Sequence, residues 1–353
     1  MSDGAPTATR TAAVLVLYRP AAPPLALIRQ LRQSVAVVVV VDNDEAPDPA
    51  LHRAVEALGG QLIANAPHMP VHLGSMGASV RAVRARHPTL RPGEAFALNN
   101  PYAGGTHLPD ITVVMPVFGV GEAAEPAFFV AARGHHADVG GVQPGSMPPF
   151  SRTIDEEGVM LDALPVMRGG RFLGEEVRTA LGAEPWPARS PDRNIADLKA
   201  QIAACQAGGE AVMAMIRASG DQAVARYMRF VQANAEACVR RAVKSLKDGS
   251  AVMPMDGGGE IRVAITVDAA EGRAVLDFSG SSGQLPNNFN APSAIVDAAA
   301  LYVFRTLVDD DIPMNAGVLK PLKVIIPAGC MLALESRSFR QLPYDEHHRT
   351  DHA

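Results

Sequence analysis

The sequence predicts a mixed fold of the α+β or α/β kind: a short βαβ segment, followed by a larger region with mixed sheets and a helical hairpin. Three observations predict it. Runs of β-branched residues alternate with short helical stretches near the start, two long stretches of helical period meet near residue 220, and alternating strands follow them.

The opening reads AAVLVLY as a strand, PPLALIRQLRQ as a helix opened by prolines, VAVVVVV as a second strand and PALHRAVEAL as a second helix. Continuous β-branched runs separated by helices predict parallel strands covered on both faces. The second strand ends in Val41-Asp42-Asn43. A carboxylate at a carboxyl strand end either meets a ligand, as in open α/β sheets, or caps the next turn.

From Gly60 the composition changes, and QLIANAPHMPVHLGSMG is rich in His, Met, Pro and Gly. Further on, Leu198, Ile202, Cys205, Val212 and Ile216 recur at helical spacing between Asn194 and Ala218. Gly220-Asp221 reads as a stop followed by the cap of a second helix to about Lys247. The two helices are expected to pack as an antiparallel hairpin with Cys205 and Cys238 on their apolar sides. GEIRVAITV and AVLDFSG alternate as strands joined by a hairpin at Glu271-Gly272. After Gly329 the chain turns polar and loses periodicity, so residues 330–353 read as a disordered tail.

Composition narrows the function. A chain of 353 residues with 48% hydrophobic and 20% charged residues is an ordinary globular one of two or three domains. The net charge of -5 comes from interspersed acids and bases, and no basic stripe points to nucleic acid. Three cysteines without a CxxC pair argue against a disulfide framework or a zinc knuckle and for a reducing cytoplasm. The longest apolar run, Val35 to Val41, is too short to span a bilayer, and no export signal opens the chain. No GxxxxGK[ST] loop is present, so ATP would have to be handled by a partner.

Two histidine-bearing segments carry the chemistry: NPYAGGTHLPD, with His107 and Asp110, and RGHHADVGG, with His135, His136 and Asp138. Pro109 favours an extended or turning backbone, so His107 and Asp110 can converge from a loop. His135 and His136 are adjacent, and in an extended segment they face opposite ways. One is expected to coordinate while the other orients a carboxylate or moves a proton. Mixed imidazole and carboxylate donors suit a divalent manganese, iron or zinc ion. Asp138 is either a supporting or proton-moving group or a turn former. His68 and His72 lie in a proline-interrupted stretch and either hold that turn or touch substrate or metal. Glu156 and Glu157 read as solvated surface rather than as an acid/base pair. The pairs Gly104-Gly105 and Gly140-Gly141 allow close backbone approach but are equally normal in turns.

From about Gly60 to Gly329 the chain resembles the hydantoinase B/oxoprolinase family. The likeness is carried by IANAPHMPVHLGSMG, FALNNPYAGGTHLPDITVV, ARGHHADVGGVQPGSMPPFS, EEGV, NIADLKAQIAAC, VLDFSGSSGQLPNNFNAP and DIPMNAGVLKPLKVIIPAG. That resemblance implies hydrolysis of a cyclic amide, a hydantoin or 5-oxoproline, in a hetero-oligomer whose A-type subunit uses ATP to phosphorylate the carbonyl oxygen. In the related acetone carboxylases it implies manganese held by a His-x-x-Asp pair, a further histidine and a glutamate. Carried across by motif, His107, Asp110 and His135 match, and the glutamate has no counterpart. His136 or Asp138 would then move or orient the proton. Asn99, Asn100 and Tyr102 offer amide and phenol groups able to hold a ring carbonyl, although the family usually has Asp at the position of Asn100.

Residues 1–60 resemble the start of an inverting, Rossmann-like nucleotide-sugar glycosyltransferase, which would make Asp42 a nucleotide contact. No Asp-x-Asp motif follows it. The combined resemblances imply a hydantoinase B-type domain, residues 61–329, truncated at both ends. Three readings follow: a cyclic-amide hydrolase, a glycosyltransferase fragment, and an inactive structural subunit that stabilises its A-type partner.

Overall fold

A computed structural model describes residues 39–42, 61–64, 72, 74–119, 125–310 and 312–334. Its first sheet has seven strands: β1 (Val39–Asp42), β2 (Gln61–Ala64), β3 (Ala95–Leu98), β4 (Asp110–Val117), β5 (Phe128–His135), β6 (Leu164–Arg168) and β7 (Arg171–Phe172). Their order is β2-β1-β5-β4-β3-β6-β7, and every neighbouring pair is antiparallel.

This corrects the parallel arrangement expected for the opening segment. β1 pairs antiparallel with β2 on one side and with β5 on the other. A continuous apolar run reports burial on both faces, and parallel pairing is only one way to achieve that. Here an antiparallel sheet is buried twice, as the wholly buried β4 shows. Ile111, Val113 and Met115 face one core with Val130 and Ala132. Val114, Phe129 and Ala131 face the other. The remaining predicted elements of residues 12–65 lie outside the described residues.

Helix α1 (Met76–Arg86) covers the second of these faces through Met76, Val80 and Val83. The first is covered by α2 (Gly174–Leu181) and α3 (Pro191–Ser219), with Leu198, Ile202, Cys205 and Val212 in the core. The 29 residues of α3 begin with Pro191 in the first turn, where its missing N–H costs nothing. They stop at Gly220, whose φ of +82° suits glycine and reverses the chain into α4 (Asp221–Val243).

The expected hairpin forms only at the turn. Val212, Ile216, Val224 and Met228 share one core. Farther along α4, Ala235, Cys238, Val239 and Val243 belong to another, with α5 (Ser293–Thr306) and the second sheet. That sheet is mixed, as predicted: β8 (Gly249–Pro254), β9 (Glu260–Asp268), β10 (Arg273–Asp277) and β11 (Leu322–Ile325) lie in the order β11-β10-β9-β8, with β10 and β11 parallel. The β9–β10 hairpin turns where the sequence places it.

The polar end of the chain begins with packed residues. Cys330, Met331 and Leu332 are buried, and the Met331 N–H donates to Ser282 O at 3.0 Å. Three apolar residues in a polar stretch are too few to give a periodic signal. Residues 335–353 lie outside the described residues. Among those described, no helix is long and apolar enough to cross a membrane.

All three cysteines are free and buried. Burial pushes the Cys205 thiol up to about 12, against a weaker opposing backbone hydrogen bond. Folded protein treated with iodoacetamide at pH 8 is therefore expected to keep Cys205 unmodified, and peptide mass spectrometry should find it alkylated only after denaturation. Rapid labelling of the native chain at that position would contradict the packing.

Candidate metal and catalytic site

The site grows from the register of β4 and β5. Asp110 pairs with His135 and Thr112 with Arg133. Residues two apart on a strand share a face, so all four side chains project toward α1. His136, one residue further, projects toward α3. The alternation read from the adjacent histidines is what separates a solvent-reaching ligand from a buried support.

Asp110 is the centre of the first group. It is 1% exposed. Its Oδ2 lies 2.9 Å from His107 Nδ1 and 3.4 Å from His72 Nδ1, and its Oδ1 lies 3.1 Å from His135 Nδ1. The Thr106 hydroxyl donates to Oδ2 at 3.0 Å. Burial alone, the largest influence, would raise the proton affinity of this carboxyl. The hydrogen bond and charge of His107, with the charges of His72 and Arg133, outweigh it and hold Asp110 well below the usual carboxylate range. It is ionised at any pH at which the fold is expected to work.

His107, Asp110 and His135 each place a ligand atom within 4.8 Å of the others. Donors bound about 2.1 Å from one ion are at most about 4.2 Å apart, so small side-chain rotations close the set. The donor chemistry, two imidazoles and one ionised carboxylate, fits a divalent first-row ion. His107 and His135 keep solvent access, and their ring centroids are 5.2 Å apart.

Arg133, which the sequence reading passed over, anchors this face. Its Nε donates to Thr112 Oγ1 at 2.7 Å, one terminal nitrogen donates to Ser75 Oγ, and the other to Ser79 Oγ at 3.0 Å and Gly104 O at 3.4 Å. Burial lowers its proton affinity to about 10, with Asp110 opposing, so it remains a cation. It ties α1 and the glycine loop to the strand that bears His135.

His136 does not join the cluster. It is 1% exposed, with Nε2 3.1 Å from Gln201 Oε1 and Nδ1 3.0 Å from Asn194 Nδ2, both residues of α3. The Gln201 amide nitrogen donates to Ile111 O and Ala132 O, which leaves its oxygen to accept from a protonated Nε2. Burial lowers the proton affinity of His136, so the ring is neutral with both nitrogens engaged. It pins the ends of β4 and β5 to α3 and has no free nitrogen with which to carry a proton.

Gln201→Met would take one hydrogen-bond partner each from the His136 N–H and the carbonyls of Ile111 and Ala132. A loss of about 1–3 kcal/mol in urea unfolding is expected, with metal content unchanged by elemental analysis. A loss of metal with unaltered stability would place His136 in the site instead.

The other predicted site residues are spread out. Asp138 spends its carboxylate on the N–H groups of Gly140, Gly145 and Arg189 at 3.0 Å each and on the Arg189 guanidinium at 2.8 Å. Burial opposes, but these donors hold it below the ordinary range. Asp138 thus holds the turn of Gly140 and Gly145 against Arg189. Asn100 is buried, and its Oδ1 accepts from the Tyr102 N–H at 2.9 Å, so it shapes the loop before His107. Tyr102 is partly exposed on that loop. His72 is drawn to Asp110, whereas His68 and the side chain of Asp42 lie outside the described residues.

The family model for hydantoinase B/oxoprolinase matches residues 51–338. "5-Oxoprolinase 1" of Arabidopsis thaliana is 43% identical over 300 residues, which cover 78% of this chain and 23% of that protein. "5-Oxoprolinase PfmaA" of Pestalotiopsis fici is 42% identical over 290 residues, 79% of this chain and 22% of that protein. This chain therefore spans about a quarter of the length of these relatives. The crystal structure of ATP-dependent caprolactamase from Pseudomonas jessenii superposes with a TM-score of 0.72 at 18% identity, over 85% of this chain and 49% of that one. That likeness is one of fold. With a matching family model over most of its length and relatives above 40% identity, the chain belongs to the hydantoinase B/oxoprolinase family.

Proposed function

We propose that this chain hydrolyses the ring amide of a small cyclic substrate of the 5-oxoproline or hydantoin type. The observation that carries the reading is the convergence of His107, Asp110 and His135 in a chain about 40% identical to proteins named 5-oxoprolinases. A lactam resists water because resonance weakens its carbonyl as an electrophile. A divalent manganese, iron or zinc ion held by the three residues would lower the pKa of a bound water and polarise a carbonyl.

The residues around it have definite tasks. Asp110 stays ionised and supplies the negative charge that an incoming cation meets. The Thr106 hydroxyl and His72 fix the orientation of that carboxylate, and Arg133 fixes the strand and loop that carry it. Supporting groups of this kind hold ligands in place and raise their affinity. The structural relative titled an ATP-dependent caprolactamase supports an ATP-driven reaction, with ATP handled by an A-type subunit in a hetero-oligomer.

The test is His107→Ala in the complete enzyme, assayed with 5-oxoproline or hydantoin, ATP and the A-type subunit. Bound metal by elemental analysis and turnover are both expected to fall at least about 100-fold, with the circular dichroism spectrum retained. Unchanged metal content would overturn the assignment.

A further inference from the structure

Two loops outside the cluster carry three of the most exposed large apolar side chains among the described residues. Phe150 is 87% exposed and Met147 63%, both on the loop 142–150, and Phe289 is 56% exposed on the stretch 278–291. The Asn288 Nδ2 donates to Pro148 O at 2.8 Å, which holds the two loops together across 140 residues of chain. Neither loop contains a charged residue, although 20% of the chain is charged. Aromatic and methionine side chains in an uncharged patch have the composition of an interface core.

The patch is rigid and rooted in the metal site. The loop 142–150 follows β5 soon after His135, and the Arg189 guanidinium donates to the carbonyls of Gly140, Gly141 and Gln143 at its start. Its base is tied to the other ligand loop as well. The Val159 N–H donates to Val139 O at 2.8 Å, and the buried Asn99 Nδ2 donates both to Val159 O at 3.0 Å and to Leu108 O at 2.7 Å, next to His107. Met147 and Phe150 therefore stand on the same framework that presents His107 and His135.

The occupant follows from the ATP-driven opening of a cyclic amide proposed above, on which this inference rests. His135 is 52% exposed and His107 keeps solvent access, so the described residues leave the site open. A ring activated by ATP that met bulk water would lose its activation before it reached the ion, so it has to pass under cover. The cover is then the subunit that handles ATP. In the two 5-oxoprolinases compared above, the matched part is 23% and 22% of the polypeptide, so most of each is left to cover this domain. We infer that the A-type subunit docks on Met147, Phe150 and Phe289 with an uncharged, apolar segment and closes the metal site.

Phe150→Ser is the first variant, because so exposed a side chain is not needed for folding. Its affinity for the purified A-type subunit, measured by calorimetry on the full chain, is expected to fall about 30-fold or more, and Phe289→Ser should act alike. Phe230→Ser, half exposed on α4, should leave that affinity unchanged. Bound metal should be the same in all three, and excess A-type subunit should restore lactam opening by Phe150→Ser. Unchanged affinity in Phe150→Ser and Phe289→Ser overturns the proposal. So does a raised KM with that affinity kept, which would make the loops a substrate contact. Self-association of the wild-type chain that Phe150→Ser abolishes would make the occupant a second copy and overturn it too, as would a wild-type chain that binds no A-type subunit. Affinity lost in Phe150→Ser from a wild-type complex that opens no lactam would leave the docking surface in place and reject the substrate reading.

Discussion

Asp110→Asn is expected to empty the site of its ion while leaving the sheet folded. Metal affinity, measured by calorimetry with Mn²⁺ or Zn²⁺, should fall at least 100-fold, beyond the roughly 10–100-fold typical of losing a supporting group. The size of the effect follows from position. Asp110 is the one carboxylate in the convergent set, and it is met by His107, His135, His72 and the Thr106 hydroxyl at once. An amide keeps the shape and loses the charge, and its NH₂ group faces donors. Arg133 would also lose its nearby counter-charge.

The same substitution changes the pH dependence of stability. A carboxyl held below its unfolded value stabilises the fold above the unfolded pKa, about 3.9. That contribution is lost as pH falls toward the depressed folded value. Wild type should therefore lose stability from about pH 4 downward, and Asp110→Asn should lack this part of the acid sensitivity. Urea midpoints at pH 7 and pH 3 compare the two. Full metal occupancy in the variant would leave the site without its central ligand.

How much of this was legible in the sequence depends on how local each signal is. Helix α3 was readable because Leu198, Ile202, Cys205, Val212 and Ile216 keep one face over many turns, and its ends carry Pro191 and Gly220. The β9–β10 hairpin was readable from strict alternation. The convergence of His107 and Asp110 was readable because they are three apart around a proline, and the opposite facing of His135 and His136 followed from strand geometry. What lies opposite each was not. Gln201 reaches Ile111 O across 90 residues, and Arg133 reaches Ser75 across 58. Neither contact leaves a trace in local spacing. Without them nothing showed that His136 faces Gln201 and Asn194 rather than the cluster. Asp138 was readable either as a supporting or proton-moving group or as a turn former, and its contacts to the Gly140 and Gly145 N–H groups are the local ones. For β1, the apolar run marked a strand but could not report its direction.

Gly105→Ala is expected to damage both stability and metal binding, and it separates close approach from backbone strain. Sequence alone gave the Gly104-Gly105 pair no more weight than an ordinary turn. In the structure Gly105 lies outside the left-handed region, so backbone preference alone would accept alanine there. Space does not. A Cβ at Gly105 would stand 2.3 Å from Asn99 O, 2.5 Å from Asn99 C and 2.7 Å from Asn100 C, all backbone atoms that cannot rotate away. Relief requires the loop to shift, and the next two residues are Thr106 and His107. The Thr106 hydrogen bond to Asp110 would be strained first. A cost of about 3 kcal/mol is expected, at the upper end for overpacking. In a domain of this size that corresponds to a fall in Tm of about 6–12 °C. Gly145→Ala is the control: φ there is +87°, but nothing lies within 4 Å of the added carbon. It should cost about 1 kcal/mol through backbone strain and leave metal affinity unchanged. If Gly105→Ala behaves like Gly145→Ala in both calorimetry and metal titration, the loop is not held against Asn99, and the placement of His107 over Asp110 loses its support.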